Sequence, residues 1–256
     1  EEYAVELWHR GSGGVRRLMG WMVLLLAVGG WGALSLGAER PLLYVALEPQ
    51  KDVAERLAGG RLQVEALLPP GADPHSFEPK PQQMMRLTRA LAYISAGLPF
   101  EDILVPRLRG AVPGLVIVSG DAGIEKIDMT PSEELFAHET SDGASPHAEH
   151  HAGADPHFWT SPKRMAVMAR TMARALMELD PEGAHVYQKN LAAQEEEIAA
   201  LDGELSRLLH DRRGMAFLVF HPAWGYFAAD YGLRQIPIEV EGKEPKAADL
   251  ARLVLF

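Results

Sequence analysis

Strand-like and helix-like segments alternate along this chain, and that alternation constrains the fold more than any single residue. Leu42–Leu47 (LLYVAL) reads as a buried strand, and a helix opens over Val53–Leu57 and stops at Gly59-Gly60. Leu62–Leu68 (LQVEALL) is a second strand, closed by Pro69-Pro70-Gly71. Pro81–Arg89 is helical, and Leu91–Ser95 and Leu115–Ser119 are further short apolar runs followed by turn residues. Repeated βα units predict an α/β fold with a mostly parallel sheet and helices on its faces. Ligands of such sheets sit beyond the carboxyl ends of the strands, which directs attention to the loop after Leu68.

Two helical stretches then interrupt the alternation. Ser161-Pro162 is an N-cap followed by proline at the first helical position. Met165, Met168, Met172, Leu176 and Leu179 follow on one face, the spacing of a core stripe rather than of a soft-metal site. Asp180-Pro181 starts the next helix by the same device. Tyr187, Leu191, Ile198, Leu201, Leu205 and Leu208 keep helical spacing toward His210, with Gln194 in the gap. About 30 residues at helical rise span roughly 45 Å, enough to cross from one lobe to another. A single broad stripe containing Gly183 and Gly203 favours an intramolecular spine over a coiled-coil dimer, so a monomer is expected. After Gly214 the pattern restarts with Ala216–Phe220 (AFLVF) and Ile236–Val240, then halts. The expected organisation is a leader and signal peptide over 1–38, an N-terminal α/β lobe over 39–180, a linking helix over 181–210, and a partial C-terminal α/β lobe over 211–256, with the second lobe truncated.

Arg16 and Arg17 precede a compact apolar run from Leu18, which ends in small residues around Ser35–Ala38. That is the anatomy of a secretory signal and predicts export to the periplasm or cell exterior. The run is short for a membrane anchor and is interrupted by Gly29, Gly30 and Gly32. The first fourteen residues look foreign to the signal. The chain has no cysteine, which excludes disulfides, thiolate metal sites and a cysteine nucleophile. A net charge of −10 argues against nucleic acid as a partner, because phosphate neutralisation needs clustered Lys and Arg.

The pentapeptide GADPH occurs twice, at Gly71–His75 and Gly153–His157, each time running into an aromatic within two residues. The flanks do not match, so what repeats is a local device rather than a domain. His221, at the carboxyl end of the AFLVF run, is again beside a proline and near aromatics. Neutral imidazole is the commonest protein ligand for zinc, and proline-stiffened loops lower the entropy cost of holding it. His75, His157 and His221 are therefore the candidate metal ligands. Asp73 and Asp155, two residues before their histidines, either orient the ring or cap the turn. Trp159, Phe77 and Trp224 are candidates to wall the site from water. The acidic stretch 133–156 carries His138, His147, His150 and His151 without apolar period and reads as a mobile loop. Its histidines are either incidental or a weak metal-capture device, and their density favours capture.

The segments GADPHSFEPKPQQM, LAYISAGLPFED, DPHFWTSPKRM, LDPEGAHVYQKNL and HPAWGYFAADYGL resemble, in order, the metal-binding receptors of ABC importers, nearest to the zinc-uptake (ZnuA-like) branch. The resemblance covers roughly Pro41 to the end. It implies two Rossmann-like lobes joined by a long rigid helix, with Zn2+ as the transported ligand in the cleft, Mn2+ being the alternative. It implies His75 and His157 as ligands from the first lobe and His221 from the second, where manganese members tend to carry Glu. It further implies a fourth ligand that is either water or an acidic residue from late in the second lobe, past residue 256, and an ABC permease and ATPase at the membrane as partners. A manganese or iron receptor and a metal-stabilised adhesin are the nearest alternatives. A zinc hydrolase is a further one, since three histidines with an open fourth position is also a catalytic pattern, although no H-E-x-x-H spacing occurs.

Overall fold

The computed structural model describes residues 39–72, 74, 77–129 and 153–239. Its first sheet holds β1 (Leu42–Val45), β2 (Gln63–Ala66), β3 (Ala92–Ser95) and β4 (Val116–Ser119), in the order β2-β1-β3-β4 and all parallel. Three helices connect them: α1 (Glu48–Ala58), α2 (Pro81–Leu87) and α3 (Glu101–Ala111). The chain fold is thus α/β, as the alternation predicts.

Burial explains the order. The central strands β1 and β3 are apolar throughout their interior and lose all solvent contact at Leu43, Val45, Tyr93 and Ile94. Such strands need a helix layer on each face. Helix α1 begins before the apolar residues that mark it in the sequence, because Pro49 suits the first turn. It ends at Gly59, whose φ of 55° is left-handed and whose missing Cβ admits the Asn190 amide. Helix α3 has no clear apolar period in the sequence, because Pro106 and Gly110 lie inside it.

The sheet order reverses direction between β1 and β3, the place where open α/β sheets usually hold ligands. Here two buried side chains tie the strand ends together. Gln50 accepts from the Ala46 N–H at 2.8 Å and donates to the Ser95 carbonyl at 2.9 Å. Glu101 accepts from the N–H groups of Ala96 (3.0 Å) and Leu98 (2.7 Å) and from the Tyr93 hydroxyl. Burial pushes the Glu101 carboxyl up, against the pull of these three donors.

Helix α4 (Pro162–Leu179) opens as its cap predicts, with Ser161 Oγ accepting from the Arg164 N–H at 3.3 Å. Met168, Met172 and Leu176 are fully buried, so the methionines pack the core. After a 3-10 turn at Pro181–Gly183, α5 runs from Ala184 to Leu209, 26 residues or roughly 39 Å. Asp180 joins the two: it receives Arg61 at 2.8 and 3.1 Å and the Tyr187 hydroxyl at 2.5 Å. The apolar stripe of α5 is only half covered among the described residues. Tyr187 is fully buried, whereas Leu201 and Leu208 are 48% and 51% exposed. No helix among the described residues is long and apolar enough to cross a membrane.

A second parallel pair follows, β5 (Ala216–Val219) and β6 (Arg234–Pro237), connected through α6 (Gly225–Tyr231). Val219 is in register with Pro237. The ladder continues one step further, with Ile238 N–H to the Val219 carbonyl (2.8 Å) and Glu239 N–H to the Phe220 carbonyl (3.1 Å).

Candidate metal centre

The second GADPH copy runs from two exposed residues, Gly153 and Ala154, into a buried Asp155-Pro156-His157. Gly153–Asp155 pairs antiparallel with Ile127–Met129, through Met129 N–H to Gly153 (3.1 Å) and Asp155 N–H to Ile127 (2.8 Å). Backbone pairing outweighs the polar composition there. Asp155 is fully buried, and its Oδ1 accepts from both the backbone N–H of His157 (2.8 Å) and the ring Nδ1 (2.7 Å). The two roles open to this carboxylate, turn cap and ring orienter, are filled by one oxygen. Thr160 Oγ1 closes the turn onto the His157 carbonyl at 2.9 Å. Trp159 packs edge-on against the imidazole, centroids 5.3 Å apart.

His221 follows β5. Its Nδ1 meets Glu239 Oε1 at 2.6 Å, and Glu239 is itself buried. The imidazole side chain is 45% exposed, against 8% for His157.

The two rings face each other through their remaining nitrogens. His157 Nε2 and His221 Nε2 are 3.2 Å apart, with ring planes at 78°. With a carboxylate on each Nδ1, the favoured tautomer leaves both Nε2 lone pairs pointing at one place. Two lone pairs at that distance repel unless a cation lies between them. Two nitrogens bound at about 2.0–2.1 Å to one tetrahedral zinc would stand about 3.3 Å apart, close to the spacing here.

The surroundings lock the two histidine turns together. The Tyr226 hydroxyl donates to the Asp155 carbonyl at 2.8 Å, and burial raises its pKa. Asp230 receives Arg164 Nη2 at 3.1 Å and the Ser161 hydroxyl. Gly225 lies so close to Asp155 Oδ2 that a Cβ there would come within 2.5 Å of it. That oxygen is buried and makes no hydrogen bond. On the other side, Lys126 stands 5.2 Å over the Phe158 ring and 2.7 Å from Asp121. Burial alone would raise the Asp121 carboxyl, but Lys126 and Ser119 hold it below its ordinary value.

Of the predicted residues, His157, His221, Asp155 and Trp159 come together. His75, Asp73, His138, His147, His150 and His151 lie outside the described residues. Among the described residues no cluster of three or more metal-binding side chains forms. The Trp224 ring pairs with Phe227, centroids 5.6 Å apart, and its backbone N–H donates to Gln235 Oε1 at 2.6 Å. Phe77 packs on Phe100 at 5.0 Å. Sequence reasoning missed Glu239, whose only signal was the register of two strands.

Residues 43–256 match the family model described as zinc-uptake complex component A, periplasmic (ZnuA). The high-affinity zinc uptake system protein ZnuA of Paracoccus denitrificans is 33% identical over 232 residues, which is 82% of this chain and 70% of that protein. The zinc-binding lipoprotein AdcA of Streptococcus pneumoniae serotype 4 is 29% identical over 81% of this chain. This chain spans only 41% of the length of that relative. Among solved structures, a crystal structure of ZnuA superposes with a TM-score of 0.69 at 38% identity, covering 84% of this chain and 76% of that one. A ZnuA deletion mutant with zinc bound gives the same TM-score at 37% identity, over the same shares of the two chains.

Proposed function

The chain belongs to the ZnuA family of zinc-uptake components, and from that premise we propose that it captures zinc outside the cytoplasm and hands it to an ABC importer. The observation that carries this reading is the pair of imidazoles facing each other at 3.2 Å, each with a carboxylate on its far nitrogen. Zinc is the cargo. His157 and His221 supply two nitrogen donors, and His75, from the first GADPH copy, supplies the third. Imidazole donors suit zinc, whereas carboxylate and water donors suit manganese. The lobe over 39–180 and the lobe over 211–256 each contribute ligands, with the helix over 181–210 setting their separation. His138, His147, His150 and His151 act as a weak metal-capture segment. The exported, monomeric receptor delivers its ion to a permease and ATPase at the membrane.

A hydrolytic reading fares worse on geometry. Asp155 and Glu239, the carboxylates that touch the ring pair, are both spent on the Nδ1 side, facing away from the ion position. Neither is placed to take a proton from a metal-bound water.

Equilibrium dialysis against zinc and manganese tests the cargo, and a clear preference for manganese rejects the zinc reading. The ligand set is tested by a double-mutant cycle. His75→Ala and His157→Ala act on one ion, so their losses should not add. Additive losses would mean that the two GADPH copies serve different places.

A further inference from the structure

The register of the second sheet has a chemical result. Val219 pairs with Pro237, so two residues on, His221 falls beside Glu239, a sequence separation of 18. Backbone hydrogen bonds from Ile238 and Glu239 carry the ladder up to that point. We propose that Glu239 is the positioning residue for His221: its carboxylate accepts a hydrogen bond from Nδ1–H, keeping the proton on that nitrogen and leaving the Nε2 lone pair turned toward the metal. This inference rests on the zinc-receptor reading for its consequence but not for its geometry.

Three observations support the assignment. Glu239 is buried, and Oε1 is 2.6 Å from Nδ1. Burying a carboxylate is costly unless it is hydrogen-bonded, so the contact has a reason to persist. The same arrangement recurs on His157, where Asp155 Oδ1 stands 2.7 Å from Nδ1. Finally, Glu239 grips the ring edge opposite Nε2, which excludes it as a ligand to an ion between the two rings while that bond is made. His157 is fixed by its own turn and by Trp159. His221 is nearly half exposed and gains its orientation from Glu239. Free imidazole in water favours the proton on Nε2, the wrong nitrogen for this site, so without a partner on Nδ1 the ring must reverse its tautomer before it can bind.

The experiment uses the whole chain with 15N-labelled histidine, metal-free, at a pH well above the imidazole reference value of about 6.5. Long-range proton–nitrogen correlation reports which nitrogen of His221 is protonated, with His221→Ala identifying the signal. Nδ1 should carry the proton in the parent chain, and Glu239→Ala should move it to Nε2. Zinc affinity by chelator competition should fall about 10- to 100-fold in Glu239→Ala, the usual cost of losing an outer partner. It should fall less in Glu239→Gln, whose amide oxygen can still accept and whose shape guards against misfolding. Two results overturn the proposal: an Nε2-protonated ring in the parent chain, or a Glu239→Ala affinity within twofold of the parent while His221→Ala loses zinc. Absence of tight zinc binding in the parent chain would sink the receptor reading instead, and the tautomer measurement would still decide the role of Glu239.

Discussion

The turn that carries His157 and the turn that carries His221 present the same ring edge to the same point, yet they are built by opposite means. In the first, the carboxylate and the indole that set the ring come from the same turn, although Ile127 and Tyr226 hold its backbone from elsewhere. Asp155 sits two residues upstream, Trp159 two residues downstream, and the backbone is clamped to Ile127. In the second, the orienting carboxylate arrives from another strand, and most of the fixing contacts come from elsewhere in the chain. Burial follows the same division, 8% exposure against 45%. One half of the site is set by its own sequence, and the other half by the fold around it.

Removing each histidine should expose that contrast most strongly. Either His157→Ala or His221→Ala should abolish tight zinc binding, a loss above about 100-fold. Their effects on the metal-free protein should differ. His157→Ala strips the ring donor from a buried carboxylate that already has one orphaned oxygen, and should cost about 2–3 kcal/mol. His221→Ala removes a half-exposed ring and strips a donor from Glu239, but that carboxylate is 12% exposed and can take water in its place, so the cost should be smaller, about 1 kcal/mol. Equal costs in chemical denaturation would erase the distinction.

Next in size is the contact that holds the two turns in place. Asp230→Ala leaves Arg164 partly buried without its carboxylate and removes the acceptor of the Ser161 hydroxyl. A loss of about 2 kcal/mol is expected, less than for a fully buried pair. Zinc affinity should drop with it, since α6 precedes β6 and β6 leads to Glu239. A destabilised variant with unchanged affinity would show that the second half is held some other way.

Gly225→Ala strikes the junction itself. Its Cβ would stand 2.5 Å from Asp155 Oδ2 and 3.3 Å from Ile127 Cδ1. Overpacking of this kind costs about 1–3 kcal/mol. Because the displaced group is the one that orients His157, zinc affinity should fall too. A variant that binds normally would mean that α6 can slide without moving Asp155.

Smaller effects lie away from both turns. The Arg61 and Tyr187 hydrogen bonds pull the Asp180 carboxyl from 3.8 down to about 2. A depressed carboxyl stabilises the fold above its unfolded value and loses that contribution as pH falls toward 2. Asp180→Asn should therefore lower the melting temperature near neutrality and converge with the parent chain near pH 2. A gap that stays constant with pH would rule out the ionised form as the source. His185→Ala, on the exposed face of α5, should change stability by less than about 0.5 kcal/mol and leave zinc binding untouched.

The contrast also explains what could be read without a structure. The βα alternation, the Ser161 cap and the methionine stripe of α4 depend on neighbours within a few residues, and each was legible. So was the Asp155–His157 pair, because GADPH writes it into five consecutive positions. Glu239 was not, since 18 residues separate it from His221 and only the pairing of β5 with β6 connects them. Helix α3 was obscured by Pro106 and Gly110. Periodicity on α5 identified a face but not its cover, and Leu201 and Leu208 lie on the exposed part of that stripe. Spacing reports which side chains share a side, whereas burial depends on what the rest of the chain brings there.

The shared oxygen of Asp155 has a thermodynamic consequence. Because Oδ1 holds the main-chain N–H and the ring N–H of His157 at once, the imidazole cannot swing away without giving up its hydrogen bond to a carboxylate that the turn holds in place. Its rotamer freedom is surrendered when the chain folds, long before an ion arrives. Capture of the ion by this ring then carries almost none of the ordering entropy that a freely rotating side chain would forfeit. In calorimetry, His157 should contribute to zinc binding with little unfavourable conformational entropy, and the ordering penalty that remains should come from the half-exposed ring across from it.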